Sequence, residues 1–342
     1  MSTSKQLKKI ELVEKLVNLG YGRRRIAKEL QISEWEARAL ISAVLPVKES
    51  VRESPSIPEI KLDKPALIKG PKAEPSFTSI NLLNNCDQEE ENCSVNVNNI
   101  SLKVACVSDI HYPYEDRRAT QIALSFLKDY KPDLLVWNGD IFDFYAVSSY
   151  EKNPKKKLDI QEEIDYGYSQ MRMWTKELGP TTKHFFISGN HETRMQRLIN
   201  KNAPSLASLR STSIESNIDF KSIGVQYVPN HQDLHIGDLM FIHGSVVRKH
   251  GGNSARGHYE QYGCSLLMGH THRLAVLFKR NKFGTHSLIE NGTLCDFDVE
   301  YAPYPDWQHG FTTIEFHGNT FVPTIRPIIN YKLIADGKVY CS

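Results

Sequence analysis

The chain has 342 residues, 40% hydrophobic and 24% charged, which allows a sizeable buried core and excludes a disordered or fibrous protein. Its apolar runs, such as Leu134 to Trp137, fall far short of the roughly 18 residues a spanning helix needs, and the charged start MSTSKQLKKIELVEKL contains no apolar signal segment. The net charge of +2 favours no global nucleic-acid or membrane partner, and the six cysteines, with no CxxC pair, read as reduced thiols of a cytoplasmic protein. All 13 histidines lie at or after His111. A residue type used for metal ligation and proton transfer is therefore absent from the first part of the chain and dense in the rest.

Residues 1–45 read as a small helical domain. Apolar residues recur at helical spacing (Leu7, Ile10, Val13, Leu16, Val17, then Ile26 and Leu30), and Gly20 and Gly22 interrupt the pattern. Ser33 and Glu36 form an S-x-x-E capping box that starts a further helix, ending before Pro46. The segment RRRIAKELQISEWEARALISAV resembles a helix-turn-helix, with Ala27 at the crowded inter-helix position, Ile32 in the turn and Glu34–Leu45 as recognition helix. It departs at Gln31, where that motif prefers Gly. Nine Lys and Arg against five Asp and Glu in these 45 residues, with Arg23, Arg24 and Arg25 together, suit contacts to a phosphate backbone. Glu34 and Glu36 would repel one, so DNA binding and protein docking both stay open.

Six of the 16 prolines fall between Pro46 and Pro75, and NNCDQEEENCSVNVNN follows. Such a composition buries too little apolar surface to offset ordering entropy, so residues 46–100 read as a flexible linker.

From Ser101 to the end the signals alternate. Short apolar runs (LKVACV, DLLVW, KHFFI, LMFIH, SLLMG) end in polar or glycine-containing punctuation, with helical stretches at Arg117–Tyr130, Leu158–Leu178 and His191–Ile199 between them. Alternating strands and helices predict an α/β domain with helices on the faces of a sheet, and ligands in such folds bind at the carboxyl ends of the strands. Those ends carry Asp109 and His111; Asp140 and Asp143 in NGDIFD; Asn190, His191 and Glu192 in GNHE; His243 and Gly244; and His270 and His272 in GHTH. Alternation along an extended strand would turn Asp109 with His111, and His270 with His272, into one cavity. The glycines before Asp140, Asn190 and His270 would let the backbone turn sharply. Carboxylate, amide and imidazole groups without Cys suit Mn, Fe or Zn, and seven of them exceed what one tetrahedral ion takes.

D-x-H, G-D-x-x-D, G-N-H-E, H-G and G-H-T-H, in this order and each after a strand, resemble the calcineurin-like metallophosphoesterase family over roughly residues 102–325. The resemblance implies a sandwich of two mixed β-sheets flanked by helices, and a binuclear hydrolase that cleaves phosphate esters with a metal-bridged hydroxide. It implies that Asp109, His111 and His272 hold one divalent ion, that Asn190, His243 and His270 hold the other, and that Asp140 bridges them. Mn comes first, with Fe, Zn or Ni as alternatives. His191 matches the phosphate-contacting histidine that protonates the leaving oxygen. Asp143 reads as a group orienting a ligand imidazole, and Glu192 as the same or as the start of the next helix. Arg194, Arg248 and Arg273 lie beside these motifs as substrate-binding cations. With the N-terminal segment as tether, a phosphodiesterase or nuclease acting on nucleic acid is the first reading. The alternatives are a phosphomonoesterase, and a DNA-binding or recruitment protein with a vestigial catalytic domain. No membrane partner is implied, and oligomeric state is left open.

Overall fold

The computed structural model describes residues 92–342 except 98–99, 150–151, 154–158, 230–231 and 299–304, together with 12–13, 15–16, 23–30 and 32. The chain divides into two compact units, residues 1–76 and 77–342. In the first, RRRIAKE forms the helix Arg23–Glu29, with Ile26 fully buried. The expected recognition helix Glu34–Leu45, its capping box and most of the linker lie outside the described residues.

The second unit is built on two six-stranded sheets. One has the order β12-β11-β2-β3-β4-β5, where β2 is Ser101–Val107, β3 Leu134–Asn138, β4 Lys183–Ile187, β5 Val225–Val228, β11 Gly310–His317 and β12 Thr320–Pro327. Here β2 to β5 pair in parallel, and β11 and β12 add antiparallel. The other has the order β1-β6-β7-β8-β10-β9, with β1 Asn92–Val95, β6 Asp233–Ile236, β7 Leu239–Ile242, β8 Ser265–Met268, β9 Leu274–Asn281 and β10 Gly284–Asn291. It too is mixed: β1–β6, β7–β8 and β8–β10 are parallel, and the remaining pairs antiparallel. A separate hairpin, β13 (Lys332–Ala335) with β14 (Lys338–Cys341), packs through Leu333 and Ala335 against the helix side of the first sheet.

Period-two alternation explains why the strand runs are almost wholly apolar: both faces of each sheet are covered. Val104, Cys106, Leu134, Val136, Phe185 and Ile187 point into the seam between the sheets, against Leu234, Ile236, Phe241, Leu267 and Ile289. Their neighbours Ala105, Val107, Leu135, Trp137 and Phe186 point outward, under the helices Arg117–Tyr130 and Ile160–Leu178. On the far side Met240, Ile242, Leu266 and Met268 lie under Ala255 and Tyr259 of the helix Asn253–Tyr262. Asp116 and Asp159 cap the first two helices, each accepting two backbone N–H groups.

Two differences from the sequence reading are structural. The strand β1 falls inside the stretch read as linker, yet pairs with β6 over four residues. Cys93, at its second position, is disulfide-bonded, whereas Cys106, Cys264, Cys295 and Cys341 are free, as expected of reduced thiols.

Gly167 marks where the helix Ile160–Leu178 crosses the loop that follows β3: a Cβ there would overlap the Phe142 ring. Gly167→Ala is therefore expected to destabilise the chain by about 1–3 kcal/mol in urea unfolding, where an uncrowded helical glycine would gain about 1 kcal/mol from the same change. His184 supplies a second check. It is buried, accepts the Trp137 indole N–H at 3.4 Å, and burial lowers its pKa to about 4. The unfolded chain takes this proton first as pH falls, so its share of stability is intact above about pH 6.5 and is lost towards pH 4. Between about pH 7.5 and 5, wild type should lose about 1–2 kcal/mol more than His184→Phe.

Candidate metal centre

The strand-end residues converge on the edge where β2, β3 and β4 of one sheet meet β7 and β8 of the other. Their backbones are unusual. Asp109, His111, Asp140, His270 and His272 all have φ between 51° and 71°, a left-handed conformation that non-glycine residues seldom adopt and that costs about 1–3 kcal/mol each. The side chains thus converge through left-handed turns beyond the strands, and the extended i, i+2 alternation expected from sequence is not what aims them.

The glycines likewise serve a different purpose at two of the three positions. Gly139 does turn at φ 79°. Gly189 and Gly269 are required by close approach: a Cβ on Gly189 would strike the Asp140 carboxylate, and one on Gly269 would lie 2.6 Å from Asp109 Oδ2.

Buried hydrogen bonds hold the turns. Asp109 N–H donates to Gly139 O and His111 N–H to Asp140 O, both at 3.0 Å, which ties the loop after β2 to the loop after β3. The buried Glu192 carboxylate accepts four backbone N–H groups, from Asp140 (2.9 Å), Ile141 (2.7 Å), Phe142 (3.0 Å) and Gly189 (2.7 Å). Burial lifts the Glu192 pKa against these donors. Glu192 therefore grips the Asp140 loop itself, and the following helix begins beyond it, at Arg194. On the other sheet, fully buried Glu290 of β10 accepts Ser254 N–H, Ala255 N–H and the Thr271 hydroxyl at 2.8–3.2 Å. His258 Nε2 accepts Ser245 and Val246 N–H just past His243. Nothing in the sequence singled out Glu290 or His258, because their partners, mostly backbone groups, lie 12 or more residues away along the chain.

Among the described residues, three clusters have ligand-type atoms within 4.8 Å of one another: Asp109, His111 and His272; Asp140, His243 and His270; and His111, Asp140 and His191. The first brings together Asp109, His111 and His272, expected at one ion, and the second brings His243 and His270, expected at the other, to Asp140; Asp140 and His111 each occur in two of the three. Asn190 Oδ1 lies 3.2 Å from His243 Nε2, which places it with the second.

The donor set fits a cation. His243 Nδ1–H donates to Asn138 O at 2.9 Å, so the Nε2 lone pair faces Asp140 Oδ2 and Asn190 Oδ1, both at 3.2 Å. These are acceptors facing acceptors, and only a proton or a metal ion between them satisfies the arrangement. His111 Nδ1 bonds Asp143 Oδ1 at 3.0 Å, while its Nε2 lies 3.1 Å from His272 Nε2. The electrostatics agree. Although burial opposes it, the facing Asp140 carboxylate raises the His243 pKa to about 10. His272, raised by Cys295 and Asp109 against the same burial, also reaches about 10. Asp140 and Asp143 are held well below the usual carboxylate range, because the imidazoles around them outweigh desolvation.

Of the three arginines expected at substrate, Arg194 reaches the cluster. Its guanidinium donates to Asp143 O at 2.8 Å and to His191 Nε2 at 2.7 Å. A guanidinium only donates, so His191 carries its proton on Nδ1, which lies 3.0 Å from both Asp143 O and Asp143 Oδ1. Arg273 instead donates to Arg248 O and lies 3.4 Å from Asp306, and the Arg248 side chain is exposed.

Glu192→Gln tests the clasp, since an amide cannot accept four N–H donors through one oxygen. The expected result is destabilisation of about 1–3 kcal/mol and Mn2+ affinity lower by about 10–100-fold in calorimetric titration. Unchanged values for both would show that the loop holds itself.

Two mycobacteriophage proteins are similar in sequence. Gene 54 protein of Mycobacterium phage D29 is 26% identical over 259 residues, and that of phage L5 is 24% identical; each match covers 70% of this chain and 99% of the relative. Among solved structures, Vacuolar Protein Sorting 29 from Cryptosporidium parvum aligns with TM-score 0.37 at 19% identity, covering 70% of this chain and 94% of that one. Vps29 complexed with Zn2+ from Entamoeba histolytica aligns with TM-score 0.35 at 15% identity, covering 70% and 97%. The family model of the calcineurin-like phosphoesterases matches residues 102–281, a span that contains all seven strand-end residues of the two clusters, and the chain belongs to that family.

Proposed function

We propose that the chain is a binuclear, divalent-metal-dependent phosphoesterase whose substrates are phosphodiesters of nucleic acid. The observation that carries the hydrolase reading is that the two ligand clusters lie side by side, with Asp140 grouped with His243 and His270 on one side and with His111 and His191 on the other. Asp109, His111 and His272 would hold one ion, Asn190, His243 and His270 the other, with Asp140 common to both. Two divalent ions at these residues, Mn2+ first for this oxygen and nitrogen donor set, would supply an activated water and would neutralise charge on the phosphoryl oxygens.

The chain's own groups do the rest. Asp143 accepts Nδ1–H from His111 and His191 and so fixes the orientation of both rings. Arg194 occupies His191 Nε2 in the free protein. When it turns to a phosphoryl oxygen it frees Nε2 to take a proton from solvent and deliver that proton to the leaving oxygen. Glu163, buried and raised to about 7 by desolvation, accepts Tyr145 and Ala146 N–H and braces the loop beside Asp143.

The nucleic-acid assignment is supported by the helix Arg23–Glu29, which opens with three arginines. A basic segment on the same chain raises local substrate concentration without adding contacts at the centre.

With Mn2+, hydrolysis of bis(p-nitrophenyl) phosphate should fall to background in Asp140→Asn, and by about 10²–10⁴-fold in His191→Ala. Rates indifferent to both substitutions would remove the enzyme reading, and a faster rate on p-nitrophenyl phosphate would make the chain a phosphomonoesterase. In a filter-binding assay, changing Arg23, Arg24 and Arg25 together to Ala should weaken duplex DNA binding and shallow its salt dependence, by about one unit of slope for each phosphate no longer neutralised. An unchanged slope would reassign that segment to protein docking.

A further inference from the structure

Aromatic rings border the His272 side of the centre. Trp307 packs edge-on against the His272 ring with centroids 4.2 Å apart, and Phe297 lies 6.2 Å from Trp307. Asp296, just before Phe297, donates its N–H to Tyr114 O at 2.9 Å, and Tyr114 meets Tyr145 edge to face at 5.7 Å. Two ring pairs, Trp307 with Phe297 and Tyr114 with Tyr145, are thus linked through the Asp296–Tyr114 bond, and each of the four residues is partly exposed; Phe297 also stacks on His309 with centroids 3.9 Å apart. Cations flank these rings. Lys152 Nζ sits 5.0 Å from the Tyr145 centroid, and Arg194 is at the centre.

Partly exposed rings beside a phosphate-binding centre and among cations are the means by which unpaired nucleotides are held, because every base offers a π-face. A phosphorylated serine, a lipid headgroup or a simple alkyl ester offers none. We propose that Trp307, backed by Phe297, stacks the unpaired base attached to the phosphate at the Asp140 centre, making the chain selective for nucleoside phosphodiesters over alkyl ones. The inference rests on the phosphoesterase reading above for the position of the phosphate, and adds what lies beside it.

The test compares kcat/KM with Mn2+ for two diesters sharing one leaving group, thymidine p-nitrophenyl phosphate and methyl p-nitrophenyl phosphate. Their ratio should be about tenfold or more in wild type, persist in Trp307→Phe and approach one in Trp307→Ala. The ratio is the readout because Trp307 also touches the His272 ring. A second readout needs no turnover: ultraviolet cross-linking of iododeoxyuridine monophosphate to the wild-type protein should label the peptide containing Phe297 or Trp307. A label there without hydrolysis of either ester would keep the base wall and remove the phosphoesterase reading. Equal hydrolysis of both esters with label elsewhere, or none, would overturn the base wall and leave the phosphoesterase reading standing.

Discussion

Negative charge driven out of water at one end of two sheets is the constraint on which the site depends. Asp109 and Asp140 are at most 1% exposed, and a buried carboxylate must find compensation or become neutral. Here five imidazoles, those of His111, His191, His243, His270 and His272, and one carboxamide converge on them, none of which brings a permanent positive charge. The protons that His243 and His272 retain to about pH 10 mark where positive charge is required. The same demand accounts for the identity of the surrounding groups: Asp143 fixes which nitrogen of His111 and His191 is protonated, and Asn138 O does so for His243.

Crowding so many polar groups at one edge has a conformational cost, taken up by five residues in left-handed backbone. Buried carboxylates oppose it by fastening backbone rather than touching ligands. Glu192 clasps the loop carrying Asp140, and Glu290 ties the Thr271 hydroxyl to the start of a helix. These clasps convert an apolar sandwich, indifferent to chemistry, into a mount with fixed geometry.

Much of this was legible in the sequence for a physical reason. Strands covered on both faces read as apolar runs, and the run KHFFI coincides with β4, Lys183–Ile187. Polar residues that end such runs stand out against them, so the seven converging side chains were visible in order. What escaped depends on approach between distant segments. Gly189 looked like a turn and proved to be a contact with Asp140. Glu290 lies in β10, a strand whose sequence GTHSLIEN lacks a long apolar run. Trp307 gained meaning only when folding laid it on His272. The edge strands β9 and β12 carry Lys, Arg and Pro among their apolar residues, as exposed edges do, and their alternation was correspondingly faint.

The centre draws on both sheets at once. His270 N–H, after β8, donates to the Asp109 carboxylate, after β2. Asn138 exchanges side-chain and main-chain bonds with Ile242 and His243 across the same gap. Elsewhere the seam is apolar, so one sheet sliding on the other by a residue, about 3.3 Å, would there chiefly cost packing. At this end it would separate Asp109 from His270 and Asn138 from His243 together. The register between the sheets is therefore written in polar bonds at the chemical end, and a mispacked sandwich betrays itself there first.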